Sequence, residues 1–157
     1  MRIHNSLFLA SLTIAGVSIL LAGCTKDKYT TKPQLKFKSV NSYNISRGDL
    51  ITFKLEFTDK EGDVSDTLYI QNRTASCPTS DYPAPAAYKV AEFPTSSNIK
   101  GQLQLVFENG TNNTGNVIYA ANRCQRPDTT IFYFWIKDKA NNISDTIRTD
   151  KPVIIQN

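Results

Sequence analysis

The stretch Phe53 to Leu68, FKLEFTDKEGDVSDTL, decides the expected fold because it recurs at Phe132 to Ile147 as FYFWIKDKANNISDTI. The two copies lie 79 residues apart and are identical at six of sixteen positions. In each copy, alternating apolar residues are followed by a five-residue polar turn and a second apolar stretch. Alternation with a period of two on both sides of a polar turn is typical of a β-hairpin. We therefore predict two hairpins of the same design.

Short alternating stretches also occupy much of the remaining chain, for example Ile99 to Glu108 and Val117 to Ala121. Segments rich in Asn, Gly, Pro and Ser separate them. Tyr, Phe, Thr, Ile and Val are plentiful and Met occurs once, a balance that favours strands over helices. The pattern predicts an all-β fold, an immunoglobulin-like β-sandwich of about seven to nine antiparallel strands.

The second copy carries a recognisable row of residues: Phe132, Phe134, Ile136, Asp138, Ala140 and Asn142. This row resembles the closing hairpin of bacterial immunoglobulin-like domains. Those domains have Gly where this chain has Asn141, and Asn tolerates the left-handed backbone that such a turn needs. Two copies are also compatible with two tandem domains. Each would have only about 60 to 65 residues, however, so we predict a single domain over residues 33–157.

The N-terminal residues 1–23 are expected to form an export signal. Arg2 and His4 precede an uncharged run, Leu7 to Leu21, whose fifteen residues fall short of the roughly 20 that span a membrane. The run ends in Leu21-Ala22-Gly23-Cys24, which resembles the lipobox of bacterial lipoproteins. In that family the signal peptidase cuts before the cysteine, and the thiol receives a diacylglycerol. The resemblance implies lipidation of Cys24, followed by a polar tether over residues 24–32.

The resemblance to small Bacteroidota lipoproteins implies that the membrane is a partner, through the acylated Cys24, and that the protein lies in the cell envelope. We expect the outer membrane. Thr25-Lys26-Asp27-Lys28 partly matches a Lys-then-acid stretch that promotes display on the outer surface in those proteins. Because this chain has a single acid there, the cell surface and the periplasmic face both stay open.

Two cysteines remain once Cys24 is assigned to lipid, and both Cys77 and Cys124 fall in predicted loops. An exported protein meets an oxidising compartment, so we predict a disulfide between them. It would close a loop of 47 positions, worth about 4 kcal/mol in the loop-entropy model. The alternative is a metal site, which would need histidine or further cysteine, whereas His4 is the only histidine.

Both turns of the repeat are rich in side-chain oxygen, from Asp59, Asp63, Asp66, Asp138, Asn142 and Asp145. Strand parity places Asp66 and Asp145 in the apolar register, where an unpaired carboxylate is costly. Three explanations are open. A β-bulge could turn the strand, the carboxylates could accept backbone N–H groups of the turn, or Asp59, Asp63 and Asp66 could hold a cation. We expect turn capping and no cofactor, with calcium as the alternative.

Three short motifs, Asp66-Thr67-Leu68, Asp128-Thr129-Thr130 and Asp145-Thr146-Ile147, resemble the O-glycosylation acceptor of exported Bacteroidota proteins. The resemblance implies glycans on Thr67, Thr129 or Thr146. Trp135 is a separate candidate, because it falls on the polar side of a strand whose apolar side carries Phe134 and Ile136. It is either a platform for a sugar ligand or a residue covered by another strand.

The sequence contains no nucleophile elbow, phosphate loop, metal-ligand cluster or catalytic histidine, so we do not expect an enzyme. The net charge of +4 is spread along the chain without a Lys/Arg run, which argues against a nucleic-acid partner. The expected function is a non-catalytic binding module for a glycan or protein partner. The alternative is a structural or accessory component of an outer-membrane assembly.

Overall fold

The computed structural model describes residues 28–74, 84–94, 96–109 and 128–156, in which all regular secondary structure is β-strand. The strands are β1 (Gln34–Val40), β2 (Asn44–Ile45), β3 (Leu50–Asp59), β4 (Thr67–Thr74), β5 (Ala86–Lys89), β6 (Ile99–Glu108), β7 (Asp128–Lys137), β8 (Ile147–Arg148) and β9 (Val153–Ile155). The all-β prediction is confirmed for these ranges. They also contain no helix long and apolar enough to cross a membrane.

The strands form two sheets. The three-stranded sheet has the order β1-β3-β6, and the six-stranded sheet has the order β2-β9-β7-β4-β5 with β8 also paired to β7. β2 and β9 run parallel, so the prediction of antiparallel strands throughout is wrong at this pair. These two strands lie about a hundred residues apart in the chain, and no hairpin turn forces them to run in opposite directions.

The inner faces of the sheets pack through phenylalanines from the two copies. Phe53 of β3 and Phe132 of β7 occupy the same position of the repeat, and their ring centroids are 4.8 Å apart. Phe53 also meets Phe134 edge-on at 5.1 Å. All three side chains are fully buried or nearly so. Each copy thus supplies one sheet with the strand that carries its half of the core, an arrangement compatible with a β-sandwich.

The first copy of the repeat is not a hairpin. β3 is hydrogen-bonded to β1 on one side and to β6 on the other, so no backbone edge is left for β4. After Asp59 the chain crosses to the other sheet, where β4 pairs with β7 and β5. The second copy does fold back, because β8 pairs with β7 and Ile143 bridges to Lys137. The hairpin prediction is therefore wrong for the first copy and confirmed for the second.

Candidate functional site

The turns of the two copies share one internal design. Asp59 and Asp138 are equivalent in the repeat, and both are fully buried. Asp59 Oδ2 accepts hydrogen bonds from the backbone N–H groups of Gly62 at 2.5 Å and Asp63 at 3.2 Å. Asp138 Oδ1 accepts the N–H of Asn142 at 2.7 Å. Each carboxylate caps the turn that follows it.

The same turn position requires a left-handed backbone in both copies. Gly62 has φ of 76° and its counterpart Asn141 has φ of 69°, so Asn141 adopts the conformation expected of it. The surroundings differ, because a Cβ atom built on Gly62 would lie 2.1 Å from the backbone oxygen of Ser96. Only a glycine fits the first turn, whereas the second turn accommodates a side chain.

The two turns pack against each other and bring three acidic side chains together. Asp59, Asp63 and Asp138 each place one carboxylate oxygen within 4.8 Å of the other two. The N–H of Lys139 donates to the backbone oxygen of Asp63 at 3.0 Å, which ties the turns together. We call Asp59, Asp63 and Asp138 the acidic turn cluster.

Two oxygens of the acidic turn cluster lack a donor. Asp59 Oδ1 and Asp63 Oδ1 are buried and have no hydrogen-bond partner within the described part of the chain. Burial raises the pKa of Asp59, and the N–H groups of Gly62 and Asp63 oppose that rise. Carboxylate oxygens that lie close together and accept no hydrogen bond can act as ligands of a cation.

Asp66 and Asp145 lie outside the acidic turn cluster and outside the apolar register. Asp66 is half-buried, and its Oδ2 is 2.9 Å from Lys137 Nζ. Asp145 is exposed and pairs with Lys32 at 2.6 Å. The parity prediction is wrong because β4 begins only at Thr67 and β8 only at Ile147, so the alternation does not reach either residue.

The neighbouring serines occupy the buried positions instead, a role that the sequence analysis missed. Ser65 Oγ accepts the N–H of Phe93 at 3.0 Å, which holds the segment after β5. Ser144 Oγ accepts the N–H of Ile136 at 3.0 Å, which holds the second hairpin closed. The sequence carried a signal for this role, because serine occupies the same position in both copies of the repeat. A side chain that stabilises the turn is expected wherever the turn is repeated.

A second candidate surface lies on the outer side of the six-stranded sheet. Trp135 of β7 stands opposite Tyr69 of β4, and the two rings stack at 5.4 Å with an angle of 8° between their planes. The guanidinium of Arg73 lies 4.2 Å from the ring centroid of Tyr133. One face of Trp135 is thus covered by a ring on the neighbouring strand of the same sheet.

Positive charge surrounds these rings. Arg148 pairs with Tyr133 across β7 and β8, and Lys89 and Lys137 flank Thr67 across β5, β4 and β7. Directly paired residues point to the same side of a sheet, so these cations share the side of the rings. We call the following set the outer aromatic face: Tyr69, Arg73, Lys89, Tyr133, Trp135, Lys137 and Arg148. All of its members are half-buried or exposed.

The predicted modification sites are placed in part. Thr129 and Thr146 are exposed, and Thr67 is half-buried. Cys24, Cys77 and Cys124 lie outside the described residues, as does the predicted strand Val117 to Ala121. Thr74, the last residue of β4, pairs with Thr130 near the start of β7. Lipidation, glycosylation and the disulfide stay predictions.

No protein-family model and no curated protein sequence matches the chain. Solved structures that resemble it include a superoxide reductase (neelaredoxin) from Ignicoccus hospitalis, with 6% identity, a TM-score of 0.44 and coverage of 81% of this chain and 83% of that one. An alkylpurine DNA glycosylase from Pseudomonas fluorescens has 8% identity and a TM-score of 0.47, with coverage of 82% and 31%. A Niemann-Pick type C2 protein from the Japanese carpenter ant has 9% identity and a TM-score of 0.45, with coverage of 82% and 98%. The likenesses are too distant to bear on function.

Proposed function

We propose that this chain is a lipid-anchored protein of the bacterial cell envelope whose immunoglobulin-like domain is a non-catalytic binding module, and that its outer aromatic face receives an acidic glycan. The lipobox-like Leu21-Ala22-Gly23-Cys24 supports the anchor. Two face-to-face sheets and the left-handed Asn141 support the immunoglobulin-like assignment.

The single observation that carries the binding proposal is the stack of Tyr69 on Trp135. Both side chains stand on the outer side of the sheet, away from the core that Phe53, Phe132 and Phe134 form. Large aromatic side chains that are half-buried in the free protein retain apolar area for a ligand. Their polar atoms, the indole N–H and the phenol O–H, can in addition bond to sugar hydroxyls.

The charges around the stack favour an acidic sugar over a neutral one. Four cations lie on the outer aromatic face: Arg73, Lys89, Lys137 and Arg148. The ammonium of Lys137 is paired with Asp66. Guanidinium groups bind carboxylates and sulfates through paired N–H donors, which gives specificity for a charged glycan. A polyanionic sugar chain lying along the sheet would meet cations on strands β4, β5, β7 and β8.

A glycan array that contains uronic-acid, sulfated and neutral oligosaccharides tests the proposal on the full chain in detergent. We expect acidic glycans to bind, with affinity that falls as salt rises. Trp135→Ala and Arg148→Gln should each weaken binding about tenfold or more. Lys36→Gln, on β1 of the other sheet, is the matched control and should bind as the wild type does.

Two results would overturn the binding proposal. One is binding unchanged by Trp135→Ala, and the other is co-purification with an outer-membrane complex that excess acidic glycan does not displace. The second result would favour the structural or accessory role. The anchor is tested separately: Cys24→Ser should abolish acylation and release the protein from membranes, because stable anchoring depends on the acyl chains.

A further inference from the structure

We propose that the acidic turn cluster is a divalent-cation site, that calcium is the ion it fits best, and that the bound cation joins the turns of the two repeat copies. The site is independent of the glycan surface proposed above. Its three candidate ligand oxygens, one each from Asp59, Asp63 and Asp138, lie within 4.8 Å of one another. Calcium binds oxygens at 2.3–2.6 Å, so an ion between them can reach all three with little movement.

The orphaned oxygens point to a ligand independently of the clustering. Asp59 is fully buried, and its Oδ2 already accepts two backbone N–H groups. Its Oδ1 has no donor within the described ranges, and neither has Oδ1 of Asp63. A buried acceptor without a partner is costly, and a buried carboxylate without a counter-charge is costlier. A cation would satisfy both oxygens at once.

The lysines on either side of Asp138 direct their ammonium groups to acids outside the acidic turn cluster. Lys137 Nζ lies 2.9 Å from Asp66, and Lys139 Nζ lies 2.8 Å from Glu92. Lys139 contributes only its backbone N–H, which reaches the backbone oxygen of Asp63. Both ammonium groups are thus paired with acids outside the acidic turn cluster.

The donor set selects a hard cation. It consists of carboxylate oxygen without histidine or cysteine, which favours calcium, magnesium or manganese over zinc and copper. Magnesium demands near-ideal octahedral geometry, whereas calcium tolerates irregular sites completed by water and backbone oxygens. Turns from two different strands make such an irregular site. The third candidate ligand is Asp138 from the second copy, whereas the sequence had suggested Asp66.

Thermal unfolding of the full chain in detergent, first stripped with chelator, tests the site. Addition of calcium chloride to about 5 mM, above the 10⁻⁴–10⁻³ M range of weak extracellular calcium sites, should raise Tm by roughly 5 °C or more. Magnesium chloride at the same concentration should raise it less. Isothermal titration should give one calcium per chain.

Variants separate the site from general turn stability. Asp63→Asn removes one ligand charge at a carboxylate whose buried oxygen has no donor, so the variant should fold and lose the calcium-dependent rise in Tm. Asp138→Asn should lose it as well. Asp66→Asn, three residues beyond Asp63 and paired with Lys137, is the matched control and should keep the full response.

The proposal is overturned if the wild type shows neither a Tm rise nor a heat of binding at millimolar calcium. It is also overturned if Asp66→Asn abolishes the response while Asp63→Asn retains it, because the ligands would then be those of another site. Neither result depends on whether the outer aromatic face binds glycans.

Discussion

The copies Phe53–Leu68 and Phe132–Ile147 differ in where the chain goes after the turn, although their strands and turns are built alike. Asp59 and Asp138 cap equivalent turns, and Gly62 and Asn141 are both left-handed. The first copy then crosses from one sheet to the other, whereas the second returns along its own strand. A repeated sequence thus specifies a strand and a turn and leaves the pairing of the next strand open.

The pairing is decided by residues outside the repeat. β3 has both edges occupied, by β1 and by the ten-residue β6, so β4 must find its partner elsewhere. β7 receives β4 on one edge and the short strands β8 and β9 on the other. Competition for backbone edges is a property of the whole chain, because each buried N–H and C=O needs a partner.

The largest expected effect concerns the buried phenylalanine that both copies carry at the same position of the repeat. Phe53→Ala and Phe132→Ala should each lower the unfolding free energy by about 4 kcal/mol, because both rings are buried and each removal leaves a cavity between the sheets. The double variant should lose less unfolding free energy than the sum of the two single losses, since the rings pack together with their centroids 4.8 Å apart. Urea unfolding of the four proteins measures the coupling.

Strict additivity would mean that the two copies do not pack on each other. Val106→Ala is a suitable control, because this residue of β6 is 42% exposed and lies outside the buried core. It should change the unfolding free energy by well under 1 kcal/mol.

The next prediction concerns the turn position at which the copies differ. Gly62→Asn should destabilise the protein by about 3 kcal/mol, because the new Cβ would collide with the backbone oxygen of Ser96 at 2.1 Å. The exchange Asn141→Gly, made in the other copy, should stay within about 1 kcal/mol of the wild type. Thermal unfolding of the two variants makes the comparison, and equal losses would show that backbone conformation alone decides both positions.

A smaller effect separates the roles of the two buried serines. Ser144→Ala should cost about 2 kcal/mol, because it leaves the buried N–H of Ile136 without an acceptor inside the second hairpin. Ser65→Ala should cost about 1 kcal/mol, because the N–H of Phe93 that it accepts is only partly buried. Chemical denaturation measures both, and a larger loss for Ser65→Ala would reverse the ranking.

Hydrophobic alternation predicted the first strand of each repeat copy, β3 and β7, for a local reason. Alternating residues such as Phe53, Leu55 and Phe57 must face one side of any strand, whichever neighbour pairs with it. The left-handed turn at Asn141 was predictable on the same grounds, since backbone conformation depends on the residue itself.

The acidic turn cluster was only half predictable. Asp59 and Asp63 are close in sequence, and their turn suggested a cation on that ground alone. Asp138 joins them because β3 and β7 lie in sheets that face each other, a long-range contact that the repeat itself does not encode. The position of Asp66 was wrongly predicted because the alternation was counted from Val64. The strand β4 begins only at Thr67, three residues after Val64.

The smallest expected effect separates the two aspartates that follow the turns. The ammonium of Lys137 holds the pKa of Asp66 below its ordinary value, with Lys89 adding a weaker pull in the same direction. Because the folded-state pKa is lowered, Asp66 stabilises the fold above the unfolded-state pKa of about 4, and this contribution is lost as pH falls through the folded-state value. Lys137→Met should therefore raise the pKa of Asp66, as measured by NMR titration. The difference in unfolding free energy between this variant and the wild type should shrink as pH falls from 6 to below 3. Lys32→Met, which removes the partner of Asp145 in the other copy, should leave the titration of Asp66 unchanged.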